Sequence, residues 1–160
     1  MEITDKRIKR LIKRFEKRLL RYGWDAILEY LEYPGGIVWI TERQSKRKKD
    51  LSGNAIAYIK KAVEHGNTPG QDDIPLFKIV LIKEQVLALS DKEILHTLAH
   101  EVSHIFFKAK RRPTNFEEYA CDTLADCFFG FKKPKGATLG YMHDEVAFKK
   151  IYGKALKKFK

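Results

Sequence analysis

A chain of 160 residues, 44% hydrophobic and 12% aromatic, can bury a core as a single domain and is not a disordered polymer. No apolar run reaches the length that spans a bilayer, and the opening MEITDKRIKR has no secretory apolar core, so a cytoplasmic protein is expected. The net charge of +11 is uneven: residues 1–24 carry +6, residues 131–160 carry +7 and the stretch between them −2, which fits either a polyanionic partner (nucleic acid, an acidic membrane surface) or a lysine-rich solvated surface.

In chain order, Ile8, Leu11, Ile12, Phe15, Leu19 and Leu20 recur at helical spacing among Lys and Arg, predicting a helix over 3–22 capped by Thr4 or Asp5 and ended by Gly23. Asp25 can open a short second helix with Ile27, Leu28 and Leu31 on its apolar face. After the Pro34-Gly35-Gly36 turn, Ile37–Thr41 is β-branched and aromatic and reads as a strand. Residues 44–50 read as a basic loop, 55–65 as a helix with Gly66 just past its end, and 66–75 as a turn-rich connection. Phe77–Ile82 reads as a strand that could run on to Leu89. Ser90-Asp91-Lys92-Glu93 is a capping box, so a helix begins there and ends by Pro113. Thr114-Asn115-Phe116-Glu117 opens another, to about Phe129. A basic loop over 131–139 and a final helix over 144–158 complete the chain.

His100-Glu101-Val102-Ser103-His104 is an HExxH motif inside the first capped helix. Residues four apart share a helix face, so both histidines can bind one metal ion, and Glu101 stands beside them as a proton acceptor. Zinc suits imidazole ligands with one open position, and it would lower the pKa of water to roughly 7. A third ligand must come from elsewhere. Glu118 is preferred, because Glu117 is three residues after Thr114 and serves the capping box; Glu117 and His143 are the substitutes. Asp122, one turn after Glu118, can hydrogen-bond a ligand histidine and fix its tautomer.

HTLAHEVSH followed by EYACDTLAD resembles the gluzincin metallopeptidases, most closely the small minigluzincin and ImmA/IrrE-like kind, over about residues 77–130. Their second motif, E-x-x-A-[ND]-x-F-A, is matched by Glu118, Asp122 and Ala125, with Cys121 in place of Ala and Leu124 in place of Phe. Only 13 residues separate His104 from Glu118, and Phe107 and Lys110 stand where metzincins have Gly and His. The resemblance implies that His100, His104 and Glu118 bind zinc, that Glu101 is the general base and acid, and that 77–82 is an edge strand pairing with an extended peptide substrate.

Other residues have weaker assignments. His96, four before His100, reads as a polar neighbour of the cleft, and Tyr141 and His143 could hydrogen-bond an oxyanion. Cys121 and Cys127 cannot form a disulfide framework and read as reduced, small apolar residues; Cys121 as a metal ligand lacks any CxxC support. The expected fold is α+β, a zincin-like small, partly antiparallel sheet on the HExxH helix and the glutamate helix. It falls in one domain over 1–160, with a basic helical segment at 1–33, the zincin core at 77–130 and a basic segment at 131–160. The expected function is a zinc-dependent endopeptidase, with the basic ends recruiting nucleic acid or an acidic partner. The alternatives are a nucleic-acid-binding regulatory protein with a structural or latent zinc site, and a peptidase held latent by one of its own termini.

Overall fold

A computed structural model describes residues 1–21, 28, 31, 36–46, 56–62, 76–107 and 114–133. The chain divides into two compact units, Met1–Leu89 and Ser90–Lys160. The described elements make an α+β protein with five α-helices and a small mixed sheet of three strands.

The first unit opens with α1 (Lys6–Arg21). Asp5 is the cap: its Oδ1 accepts from the Ile8 N–H at 2.9 Å and its carbonyl from the Lys9 N–H at 3.0 Å. Ile8, Leu11, Phe15 and Leu19 form the buried stripe, and burying each of these side chains contributes about 1.5–3 kcal/mol. The Arg7 guanidinium donates to the Leu89 carbonyl at 2.6 Å, tying α1 to the far end of the same unit.

The sheet order is β1 (Ile37–Ile40), β3 (Leu76–Ile82), β2 (Ala57–Ala62). β1 runs parallel to β3, with Ile37 opposite Ile79, and β2 antiparallel, with Ala57 opposite Leu81. Phe77 and the run Ile79–Ile82 are buried, as a central strand requires. Outside β1, the Met1 ammonium donates to the Trp39 carbonyl at 3.1 Å, and the Trp39 N–H donates to the Met1 carbonyl at 3.2 Å. The Lys83 ammonium lies 5.0 Å from the Trp39 ring centroid. Two short helices, α2 (Glu42–Lys46) and α3 (Lys83–Leu87), follow β1 and β3 directly. They are joined by the Glu42 N–H to Glu84 Oε2 and by Gln85 Nε2 to Glu42 Oε1, each 2.7 Å.

Four expectations are corrected here. Residues 57–62 are a strand rather than part of a 55–65 helix. Part of the expected 44–50 loop is α2, whose cap is reciprocal: the Gln44 N–H donates to Thr41 Oγ1 at 3.2 Å, and the Thr41 N–H donates to Gln44 Oε1 at 2.9 Å. The strand expected over Phe77–Ile82 is present, starting at Leu76, but it does not run on to Leu89, because α3 begins at Lys83. Most importantly, β3 is the central strand, hydrogen-bonded on both sides. Residues 77–82 therefore have no open edge for an extended substrate. Of the short helix expected from Asp25, Leu28 and Leu31 are described, and Leu31 bridges Phe77.

The second unit begins at α4 (Asp91–Ser103) with the capping box complete: the Ser90 N–H donates to Glu93 Oε2 at 2.8 Å and the Glu93 N–H to Ser90 Oγ at 3.3 Å. Every residue from Ile94 to Ser103 is buried. Thr97 and Ser103 satisfy their hydroxyls on carbonyls one turn back, Glu93 at 2.8 Å and Ala99 at 2.7 Å. A 3-10 turn over His104–Phe107 ends the helix. α5 (Asn115–Thr123) starts at Thr114, whose hydroxyl accepts the Glu117 N–H at 3.2 Å. It widens into a π-turn over Leu124–Phe128. Gly130 closes that turn at φ 73°, a value only glycine adopts cheaply, and the Phe131 N–H reaches back to the Ala125 carbonyl at 2.9 Å. The basic loop beyond residue 133 and the helix expected over 144–158 lie outside the described residues.

Candidate metal centre

The site lies within the second unit, on α4 and the 3-10 turn that ends it, and on α5 and its π-turn. His96, His100 and His104 are spaced four apart, and all three are buried. The rings of His100 and His104 stand edge to face, 5.0 Å between centroids.

Each of these two histidines is fixed through Nδ1 by a carboxylate of α5. His100 Nδ1 is 2.6 Å from Asp122 Oδ1, and His104 Nδ1 is 3.0 Å from Glu117 Oε1. The Nε2 atoms are thereby directed at a common point, which Glu118 occupies: its Oε2 lies 2.8 Å from His100 Nε2 and 3.5 Å from His104 Nε2. The Thr114 cap begins α5 at the point that sets this register. Glu117 and Glu118, adjacent in sequence, then address opposite nitrogens of His104.

Glu101 completes the cluster. One ligand atom each from His100, Glu101 and His104 lies within 4.8 Å of the others, so this buried group could hold a metal ion. A second group, His96, His100 and Asp122, meets the same test. Both groups need His100. His96 donates to acceptors on both sides: Asp122 Oδ1 is 3.1 Å from its Nε2, while the Phe131 carbonyl at 2.8 Å and Asp126 Oδ1 at 3.1 Å face its Nδ1. His100 likewise has acceptors on both nitrogens, so the two rings are joined through the shared Asp122 carboxylate.

The electrostatics follow from the geometry. Burial opposes the charged form of His100, but hydrogen bonds to Asp122 and Glu118 outweigh it and push its pKa up to about 10. The same balance raises His96 to about 9, through Asp122, Asp126 and the Phe131 carbonyl. His104 is also raised, chiefly by Glu118 working against burial. For Glu118, burial is overcome by the two histidines, which hold its carboxyl at about 2, and Asp122 is depressed in the same way by His100 and His96. Glu101 moves the other way: burial pushes its carboxyl up, although His100 and His104 pull it down. The site thus holds two carboxylates, Glu118 and Asp122, each kept ionised between two imidazoles, and a third, Glu101, shifted the other way.

The structure brings together His100, His104, Glu118, Glu101 and Asp122. Tyr141 and His143 lie outside the described residues. Cys121 is buried with Sγ 3.4 Å from His104 Nδ1, the ring nitrogen directed away from Glu118, and Cys127 is exposed. Burial and the surrounding carboxylates push the Cys121 thiol far up, so it stays protonated. Three partners carry no motif signal. Glu117, a capping residue and substitute ligand by sequence, turns its carboxylate to His104 Nδ1. His96 is buried against Asp122 rather than lining a cleft. Asp126 also faces His96, and its spacing of four from Asp122 is the one sequence sign of that pairing.

No protein-family model, curated protein or solved structure matches this chain. Among the described residues, no helix is long and apolar enough to cross a membrane.

Proposed function

We propose that this chain is a zinc-dependent metallopeptidase of the gluzincin kind, with His100, His104 and Glu118 as metal ligands. The observation that carries the reading is the convergence of His100 Nε2, His104 Nε2 and Glu118 Oε2, with both Nδ1 atoms tied to Asp122 and Glu117. Two imidazoles and one ionised carboxylate, supported from behind by hydrogen-bonded acids, are the donor set of an open catalytic zinc site. His100 Nε2 lies 2.8 Å from Glu118 Oε2, and these two atoms together with His104 Nε2 would hold the ion. A bound zinc would polarise a peptide carbonyl and acidify water.

The chain's own residues do the rest. Glu101 follows a ligand histidine directly and is buried. Its raised affinity for protons suits a group that takes a proton from water and returns it to the leaving amine. Asp122 and Glu117 face the Nδ1 atoms, the support that would orient both Nε2 atoms toward a metal.

The test is elemental analysis together with proteolysis of a denatured, fluorophore-labelled protein. The wild-type chain is expected to carry about one zinc, and Glu118→Ala to lose most of it. Glu101→Gln is expected to keep the zinc and lose roughly 100- to 10,000-fold in cleavage rate. Zinc retained without Glu118 would move the third ligand elsewhere. A zinc-loaded wild type without cleavage of any peptide bond would overturn the peptidase reading and favour a structural site.

A further inference from the structure

The excess positive charge of the first unit is concentrated on one helix. α1, KRIKRLIKRFEKRLLR, has nine basic residues and one acid. Lys6, Lys9, Arg10, Lys13, Arg14 and Lys17 are exposed and together line one open depression on its outer face. Arg21 continues the exposed row. From Lys6 to Arg21 the row spans about 22 Å at 1.5 Å per residue.

A solubilising surface does not need this arrangement. Mixed signs serve solubility, whereas like charges at i,i+3 and i,i+4, such as Lys6 with Arg10 or Lys13 with Lys17, weaken the helix that carries them. An anionic partner would relieve that repulsion. The kind of polyanion follows from what the helix lacks. Its apolar stripe, Ile8, Leu11, Phe15 and Leu19, is in the core and cannot enter a bilayer, as an interfacial helix must. Its outer face has no aromatic for base stacking, because Phe15 is buried, so it is unsuited to unpaired strands. It also carries no Asn or Gln, the side chains that read adenine edges. A straight cationic row over about 22 Å matches the regular phosphate spacing of a duplex.

We propose that the outer face of α1 is a nucleic-acid docking surface that binds the phosphate backbone of a duplex. It is independent of the metal centre.

The test is fluorescence anisotropy of the full-length protein with a labelled 20-base-pair DNA duplex across a salt series. The substitutions Lys6→Gln, Lys13→Gln, Arg14→Gln and Lys17→Gln are combined in one variant. A control combines Arg43→Gln, Lys46→Gln, Lys60→Gln and Lys92→Gln, four exposed cations elsewhere, for the same net charge. Circular dichroism checks that both stay helical. Wild-type binding is expected to weaken with salt at a slope of about −0.9 per phosphate contacted. The α1 variant is expected to flatten that slope by about 3–4 and to bind at least about tenfold more weakly at low salt, while the control stays near wild type. Equal weakening in both variants would reduce the effect to net charge and overturn the proposal. So would salt-insensitive binding, no binding, or binding to phosphatidylserine vesicles without binding to the duplex.

Discussion

Asp122 joins two histidines of the candidate metal centre. One oxygen, Oδ1, accepts from His100 Nδ1 at 2.6 Å and from His96 Nε2 at 3.1 Å, and the Lys133 ammonium is 4.0 Å from Oδ2. His96 is held in turn by the Phe131 carbonyl and Asp126. A chain of contacts therefore runs from the end of the π-turn to a proposed metal ligand, and His96 is its middle member. Partners behind a ligand histidine are typically worth about 10- to 100-fold in metal affinity. His96→Phe fills the space but removes both donors, so zinc affinity measured against a competing chelator is expected to fall by about that factor. His96→Gln, whose amide can still donate toward Asp122, is expected to recover most of it. Unchanged affinity in the Phe variant would show that Asp122 keeps its place without His96. The sequence showed that three histidines share a face. It could not show which of them faces the proposed metal, because that depends on where α5 lies.

The elements that place these residues were legible to different degrees. α1 and α4 were, because an apolar stripe with an Asp cap and a complete Ser90–Glu93 box are local signals. β2 was not: Ala57-Tyr58-Ile59-Lys60-Lys61-Ala62 mixes good helix formers with two β-formers, and pairing with β3 decides the outcome. The position of β3 was equally hidden, since an apolar run fits a central or an edge strand and only its neighbours distinguish them. Two further features depend on close packing in the second unit. The π-turn after Thr123 brings Asp126 to His96, and it leaves no composition signal. Gly130 then turns the chain so that the Phe131 carbonyl faces the same ring. An alanine at this φ costs about 1–2 kcal/mol. Gly130→Ala is thus expected to lower stability by that amount in urea titration and to loosen His96. Ser90→Ala, which removes the cap of α4, is expected to cost about 1 kcal/mol with zinc content unchanged. A loss of zinc in the Ser90 variant would mean that the start of α4, and not only its end, holds the ligands in place.

At the scale of the whole molecule, proton and metal compete for the same atoms. In the metal-free chain His100 binds a proton up to about pH 10, against an ordinary value of 6.5, and His104 is also raised. A zinc ion on Nε2 must displace these protons, so affinity is expected to rise with pH by about tenfold per unit for each proton released. Titration in a weakly buffered solution would show the protons directly as acid released. The stability of the metal-free protein has the opposite dependence on the alkaline side. His96 has a folded pKa of about 9, above its ordinary 6.5, so its contribution is complete below about pH 6.5 and is lost as pH rises through 9. Asp122, depressed in the fold, contributes above the ordinary carboxylate range and loses that contribution as pH falls. The metal-free protein should therefore melt at lower temperature at pH 9 than at pH 6.5. Saturating zinc should oppose that fall, because ligand at 100 times Kd adds about 2.7 kcal/mol and zinc binds more tightly at high pH. Since all the proposed ligands belong to Ser90–Lys160, hydrogen exchange should place the added protection in α4 and α5, with little change in α1 or the sheet. Protection spread evenly over both units, or a metal-free melting temperature that rises from pH 6.5 to 9, would show that the protonated histidines are not what stabilises the metal-free site.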